Sequence, residues 1–419
     1  MKSLIKYERC FIFIYIVFVI LTLCVGCSKK PPQSQPAVID KPLADFQLKL
    51  LDTAFDTASL IPVYPSIKDR CQAQEQVVDA CLELNQPVRA IRYADQIQNW
   101  RMGYCYAKTA VYLAENGYGQ DVVQKGLDVA EEVAALDHGQ DWRNNRIKTK
   151  ISRAYILLGR PEKAEAIMEQ MVGANASKNA NTQNTSVKKI SFEAQVQALD
   201  SAINLMDFDL TIGALNSYAQ LYNQHYDEAD KRTLIKKKIA AVWEKQKLPV
   251  NLRIELWMKM AEYALKYSDT ATALELVNET QTLFDAFQWS PEHYIPVSAN
   301  IAKLRFRVGD TEKANKLIDS VWEKYQTEKE ALISILRTET MCPIAETFEF
   351  MGRHDMAVKV YKKALEEAMV NRNLKPRAED ISLICCSMAV HAVHPDESWW
   401  TRISEIQTEL KQQYKLRTQ

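Results

Sequence analysis

The stretch Met341–Leu365, MCPIAETFEFMGRHDMAVKVYKKAL, decides how the chain is read. Two amphipathic helical runs flank Gly352, and a glycine just past a helix end takes a left-handed backbone at little cost. Ala345 before that turn and Ala357 after it are small, which lets two antiparallel helices approach closely. Phe348, Tyr361 and Ala364 complete the apolar side of the hairpin. A hairpin of this kind cannot bury its apolar face alone and requires neighbours.

The neighbours are in the sequence. Ser152 and Ala164, Ala261 and Ala273, Ala302 and Ala314, and Ala345 and Ala357 are each twelve residues apart. Independent helices have no reason to keep that interval. With Gly352, Tyr361 and Ala364, and with Tyr155, Gly159 and Pro161 in the Ser152 unit, the pattern resembles the tetratricopeptide repeat (TPR), a helix–turn–helix of about 34 residues. The steps here are longer: 42 residues from Ala110 to Ser152, 41 from Ala261 to Ala302 and 43 from Ala302 to Ala345. Ser268 replaces the turn glycine of the Ala261 unit, and Ile318 and Val321 replace the aromatic and the alanine of the Ala302 unit. The resemblance implies an all-α fold, an α-solenoid of TPR-like helix pairs, over residues 43–419.

Read outward, the pattern predicts a first helix from Leu43 to Leu60, stopped by Pro62 and Pro65 and capping the N-terminal end of the stack. Ser66 is placed to cap the next helix, and Pro87 opens that helix's partner. Three helices at about 190–206, 209–226 and 230–247 give an odd count, so one is unpaired or the solenoid changes direction. Lys375-Pro376 breaks the chain before a helix near 378–393, and a last helix from Asp396 to Tyr414 caps the C-terminal end. Residues 173–189, GANASKNANTQNTSVKK, have no aromatic or acidic side chain and read as a polar insertion.

The 53 basic and 53 acidic side chains cancel, which argues against a protein built to grip nucleic-acid phosphates. The first 26 residues read as an export signal, with Lys2, Lys6 and Arg9 ahead of an apolar run from Cys10. Residues 24–27, CVGC, resemble a bacterial lipobox, with Cys24 where leucine is usual. That resemblance implies lipidation at Cys27, a tether over residues 27–42, and a place in the bacterial envelope. Ser28 after the cysteine implies the outer membrane, facing the periplasm. An uncleaved anchor helix or simple secretion are the alternatives. Export would permit disulfides among Cys71, Cys81, Cys105, Cys342, Cys385 and Cys386, but Cys71 and Cys81 share a predicted helix, about 15 Å apart along it. Buried thiols fit better, and a Cys81–Cys105 bridge is the one pairing left open.

No zinc-protease pattern, phosphate loop or nucleophile elbow occurs. His391 and His394 are spaced to share a metal on a helix, but Pro395 ends that helix, and a solvated helix end is the plainer reading. Neither cofactor nor metal is expected. Trp399 and Trp400 read as packing, as do Trp100, Arg101, Tyr104 and Tyr106. The repeat register places Arg146, Thr149, Arg153, Glu255, Glu262, Lys303, Glu339, Glu346 and Glu349 on a concave face, basic early and acidic late. The function this implies is a non-catalytic, lipid-anchored scaffold binding a protein or peptide. A motif-less enzyme or metal protein with a site between helices, and a glycan-capturing surface lipoprotein, are the alternatives.

Overall fold

The computed structural model describes residues 39–136, 139–171, 191–204, 206 and 208–418. The expected export signal, Cys27 and the expected polar insertion lie outside the described residues. Among those described there are eighteen α-helices and no strand. The first seven are α1 (Asp45–Ala58), α2 (Val63–Glu83), α3 (Pro87–Ala94), α4 (Arg101–Glu115), α5 (Gln120–Ala135), α6 (Asp141–Leu157) and α7 (Pro161–Glu169). Then come α8 (Phe192–Asn204), α9 (Phe208–Gln224), α10 (Ala229–Lys245), α11 (Val250–Lys266), α12 (Thr270–Asp285), α13 (Pro291–Arg307) and α14 (Thr311–Glu328). After a 3₁₀ turn at Lys329–Ala331 follow α15 (Ser334–Phe350), α16 (His354–Ala368), α17 (Leu374–Val390) and α18 (Glu397–Thr418).

Close approach at small residues builds the pairs. Ala261 and Ala273, Ala302 and Ala314, and Ala345 and Ala357 are fully buried on helices that pack against each other. Ser152 touches its counterpart directly, Oγ donating to the Ala164 carbonyl at 3.0 Å. The helix pairs are those of a TPR-like α-solenoid.

Seven first helices end the same way. Seven residues beyond the contact positions Val78, Ala110, Ser152, Ala261, Ala302, Ala345 and Cys385 lie Asn85, Gly117, Gly159, Ser268, Gly309, Gly352 and Ala392, all at positive φ. The next amide closes the turn by bonding back to the last helical turn, as Arg353 N does to Phe348 O at 2.8 Å and Val393 N to Met388 O at 2.9 Å. This count brings α2 and α17 into the register, although neither keeps alanine at the contact.

The two ends depart from expectation. Instead of capping opposite ends of a stack, α1 packs against α17, which makes α1 the second helix of the pair that α17 begins. Leu51, Phe55 and Ala58 repeat the intervals of Ala357, Tyr361 and Ala364, and all three are buried. Gln47 Nε2 donates to the Ala389 carbonyl at 2.8 Å, and α17 packs on through to α2, where Lys375 meets Asp69 at 3.0 Å. The C-terminal α18 covers this composite pair: Gln407 Nε2 donates to Thr57 Oγ1 at 2.9 Å, and Lys49 lies 3.9 Å from the Trp400 ring centre.

Two smaller differences have local causes. The Lys375-Pro376 pair does not break the chain; Pro376 sits in the first turn of α17, where its missing N–H is not needed. Ser66 sits at a kink near the start of α2, non-helical as a cap residue is, while the helix begins at Val63 rather than after it. In the middle, α9 pairs with α10, while α8 packs on α9 as the extra helix of the odd count. Phe192, Leu199, Tyr218, Tyr222 and Trp257 share one core there.

Candidate functional site

First helices stack on first helices in the order α11, α13, α15, α17, α2, α4, α6. Because the composite pair joins the ends, residues at one register position form a row that crosses from the late repeats into the early ones. Six residues before the contact position the row reads Glu255, Pro296, Glu339, Glu379, Gln72, Tyr104, Arg146. Two helical turns further on, on the same face, it reads Glu262, Lys303, Glu346, Cys386, Asp79, Val111, Arg153. The acidic residues of α15 and the basic residues of α6, expected at opposite ends of the stack, therefore belong to one row, with α17, α2 and α4 between them.

Several of the residues named from sequence bridge adjacent first helices. Arg307 on α13 reaches Glu262 on α11 at 3.5 Å, and Lys303 lies 5.4 Å from the ring centre of Phe350 on α15. Glu346 accepts from Ser387 Oγ on α17 at 2.6 Å, and Ser387 also meets the buried Tyr361 hydroxyl at 2.6 Å. Glu349 holds His354 Nδ1 at 2.7 Å within the repeat. Arg153 pairs with Glu115 on α4, and Thr149 bonds back to the Asn145 carbonyl at 2.8 Å. Glu255 and Glu339 are exposed.

The basic end is built from α4 and α6. Arg146 is exposed, with its guanidinium 4.7 Å from the Tyr104 ring centre and 5.7 Å from that of Trp100. Trp142, half exposed, meets Trp100 edge-on at 5.3 Å. Lys150 is half-buried beside Lys108 and Arg153; burial first, then those two cations, lowers its pKa. Lys108 is held by Glu75 at 3.3 Å and by Asp79, and Glu75 also binds the buried Arg101. Asp79 and Glu379 were missed from sequence because Val78 and Cys385, lacking alanine, concealed the register of α2 and α17; Lys108 and Lys150, each two residues before the recognised contact positions Ala110 and Ser152, were not placed on the face.

Sites weighed from sequence resolve simply. His391 Nδ1 contacts the Ser387 carbonyl at 2.9 Å while His394 packs 4.6 Å from Phe46, so the two rings part. No group of metal-binding side chains occurs among the described residues. Cys71, Cys81, Cys105, Cys342, Cys385 and Cys386 are buried and free of disulfides, and burial raises the pKa of each. Trp399 is buried beneath Trp400. No helix among the described residues is long and apolar enough to cross a membrane.

The tetratricopeptide repeat family matches residues 146–178 and 338–368. These segments contain the Ser152 and Ala345 units. Repeats of this family generally mediate protein–protein interaction, and the chain is a TPR-like repeat protein. No curated protein matches the sequence. Among solved structures it is similar to a circular tandem repeat protein with novel repeat topology and enhanced subunit contact surfaces, at 15% identity over 89% of this chain and 85% of that one, with a TM-score of 0.17.

Proposed function

We propose that the protein is a non-catalytic scaffold whose first-helix face, from α15 through the composite pair to α6, forms a groove for an extended segment of a protein partner. The observation that carries this reading is the continuity of the register rows across the joined chain ends. Glu339, Glu346, Glu379 and Asp79 supply an acidic stretch, and Lys108, Arg146, Lys150 and Arg153 a basic one beside it. Such a face selects a segment with basic residues toward one end and acidic residues toward the other, and like charges in the reverse order repel. Arg146, Thr149 and Arg153 act at the basic end, with Glu339, Glu346 and Glu349 at the acidic end and Glu255, Glu262 and Lys303 beyond it.

Photocrosslinkers placed at Gln72 and at Arg146 test this in native cells. The same partner is expected from both positions and not from Lys316, an exposed residue of the second helix α14. Equal capture from Lys316, or different proteins from Gln72 and Arg146, contradicts the groove.

The lipobox-like CVGC supports lipidation at Cys27 and placement at the outer membrane facing the periplasm. Cys27→Ser is then expected to move the protein from the membrane to the soluble fraction. Unchanged sedimentation with membranes contradicts the anchor.

A further inference from the structure

On the side away from the first-helix face, a cleft of about 540 Å³ lies between the second helices α14 and α16. Its size falls within the range of small-molecule sites, roughly 300–1,000 Å³. Trp322 and Tyr325 come from the last turns of α14, with ring planes 6° apart and centres at 5.7 Å. Val358 on α16 adds to this apolar lining. Tyr325 has no exposed surface, and its hydroxyl is buried without a hydrogen-bond partner among the described residues. A buried donor left unmade costs about 1–3 kcal/mol, so it marks a position where something polar is wanted.

Four ammonium groups surround this apolar floor. Lys359, Lys362 and Lys363 share one face of α16, and Lys329 faces them from the 3₁₀ turn. Two carboxylates, Asp355 and Glu366, line the same cleft, and Glu367 and Asp396 hold two of its lysines from behind the lining, so paired acidic and basic groups ring it. Lys362 is held by Asp396 at 2.6 Å, Lys363 by Glu366 at 2.7 Å, and Lys329 by the buried Glu367 at 3.1 Å. Lys359 is exposed and makes no ion pair among the described residues. It stands four residues after Asp355 and four before Lys363, an opposite-charge and a like-charge neighbour whose effects on the helix offset each other. Nothing in the packing of the repeat requires a lysine there.

We propose that this cleft binds a small anion, a carboxylate or phosphate carried on a flat apolar group, with the group against Trp322 and Val358, the anion on Lys359 and Lys329, and the Tyr325 hydroxyl donating to it. The site is independent of the groove, since it uses second helices on the other face. Three probes, titrated calorimetrically into the full-length protein, separate the chemistries: 2-naphthoate, inorganic phosphate and the uncharged 2-naphthalenemethanol. One-to-one binding of 2-naphthoate is expected, weakened roughly tenfold by Lys359→Glu and severalfold by Tyr325→Phe. Tighter binding of phosphate with the same response to Lys359→Glu upholds the anion site and assigns the phosphate form. Lys359→Glu changes only an exposed side chain, so it decides the matter even where Tyr325→Phe fails to fold. The proposal is overturned if neither anion gives saturable binding, if the alcohol binds as well as 2-naphthoate, or if Lys359→Glu leaves the affinity unchanged.

Discussion

Gln47 Nε2 and the Ala389 carbonyl, 342 residues apart in the chain, form a buried 2.8 Å hydrogen bond. It ties the first helix to the last repeat, and the continuity of the first-helix face depends on that tie. In a linear solenoid α1 and α17 would lie at opposite ends, each needing a polar outer face. Here each covers the other's apolar side.

Disrupting α1 is therefore expected to loosen α17. Leu51 is fully buried in the composite pair, and Leu51→Ala should cost about 2–5 kcal/mol by the usual loss on truncating a buried leucine. Hydrogen exchange should quicken in residues 374–390 as well as in 45–58, with residues 270–307 less affected. Faster exchange confined to 45–58 contradicts the pairing.

Turn chemistry gives a second prediction with opposite signs at two positions. Ala392 and Gly352 occupy the same place after a first helix, with φ of 55° and 73°. A left-handed backbone costs a residue with a Cβ roughly 1 kcal/mol relative to glycine. Ala392→Gly should raise the unfolding free energy and Gly352→Ala lower it by similar amounts in denaturant melts. No atom lies within 4 Å of a Cβ built at Gly352, so the loss there is a backbone effect alone.

Gly103 behaves differently. It lies inside α4, where alanine would gain about 1 kcal/mol of helix propensity. An added Cβ would sit 2.6 Å from Val133 Cβ on α5, and overpacking typically costs about 1–3 kcal/mol. Gly103→Ala should be destabilising, and the double change Gly103→Ala with Val133→Ala should recover most of the loss. A stabilised single variant contradicts close packing of α4 on α5.

Asp380 supplies a pH dependence. It is buried, with Oδ2 unpartnered, and Thr338 is hydrogen-bonded to it. Burial first, and then the neighbouring Glu379 and Glu339, push its pKa from 3.8 up to about 8. Between those values the folded protein binds the extra proton, so stability falls as pH rises from about 4 to 8 and the penalty remains above that. Asp380→Asn should be about 1–3 kcal/mol more stable than the native protein at pH 8.5, with the difference vanishing near pH 4. A constant difference across that range contradicts the assignment.

The repeats were legible wherever alanine or serine marks both helices, because close backbone approach admits few other residues. Ala261, Ala302 and Ala345 gave their pairs directly. The composite pair was not legible, since Cys385 and Val78 also fit the contact position and no local signal links residues more than three hundred apart. The intervals of Leu51, Phe55 and Ala58 were a usable clue, identical to those of Ala357, Tyr361 and Ala364, but the sequence just before them, read as a tether, carries no first-helix pattern. Charges named from the register fell on first helices. Which of them bridge neighbours, as Glu262 does with Arg307, required the stacking order. The lysine cleft had no signature because its walls come from two second helices and a turn.

The joining of the chain ends is tested most directly by zero-length carbodiimide crosslinking. Lys375 and Asp69 form a 3.0 Å ion pair across α17 and α2, and Lys236 and Glu275 form a 2.9 Å pair within the late repeats. In the monomer fraction, peptide mapping should recover both the Lys375–Asp69 and the Lys236–Glu275 isopeptide bonds. Recovery of Lys236–Glu275 without Lys375–Asp69 would mean that α17 does not reach α2, and the continuous face would be lost.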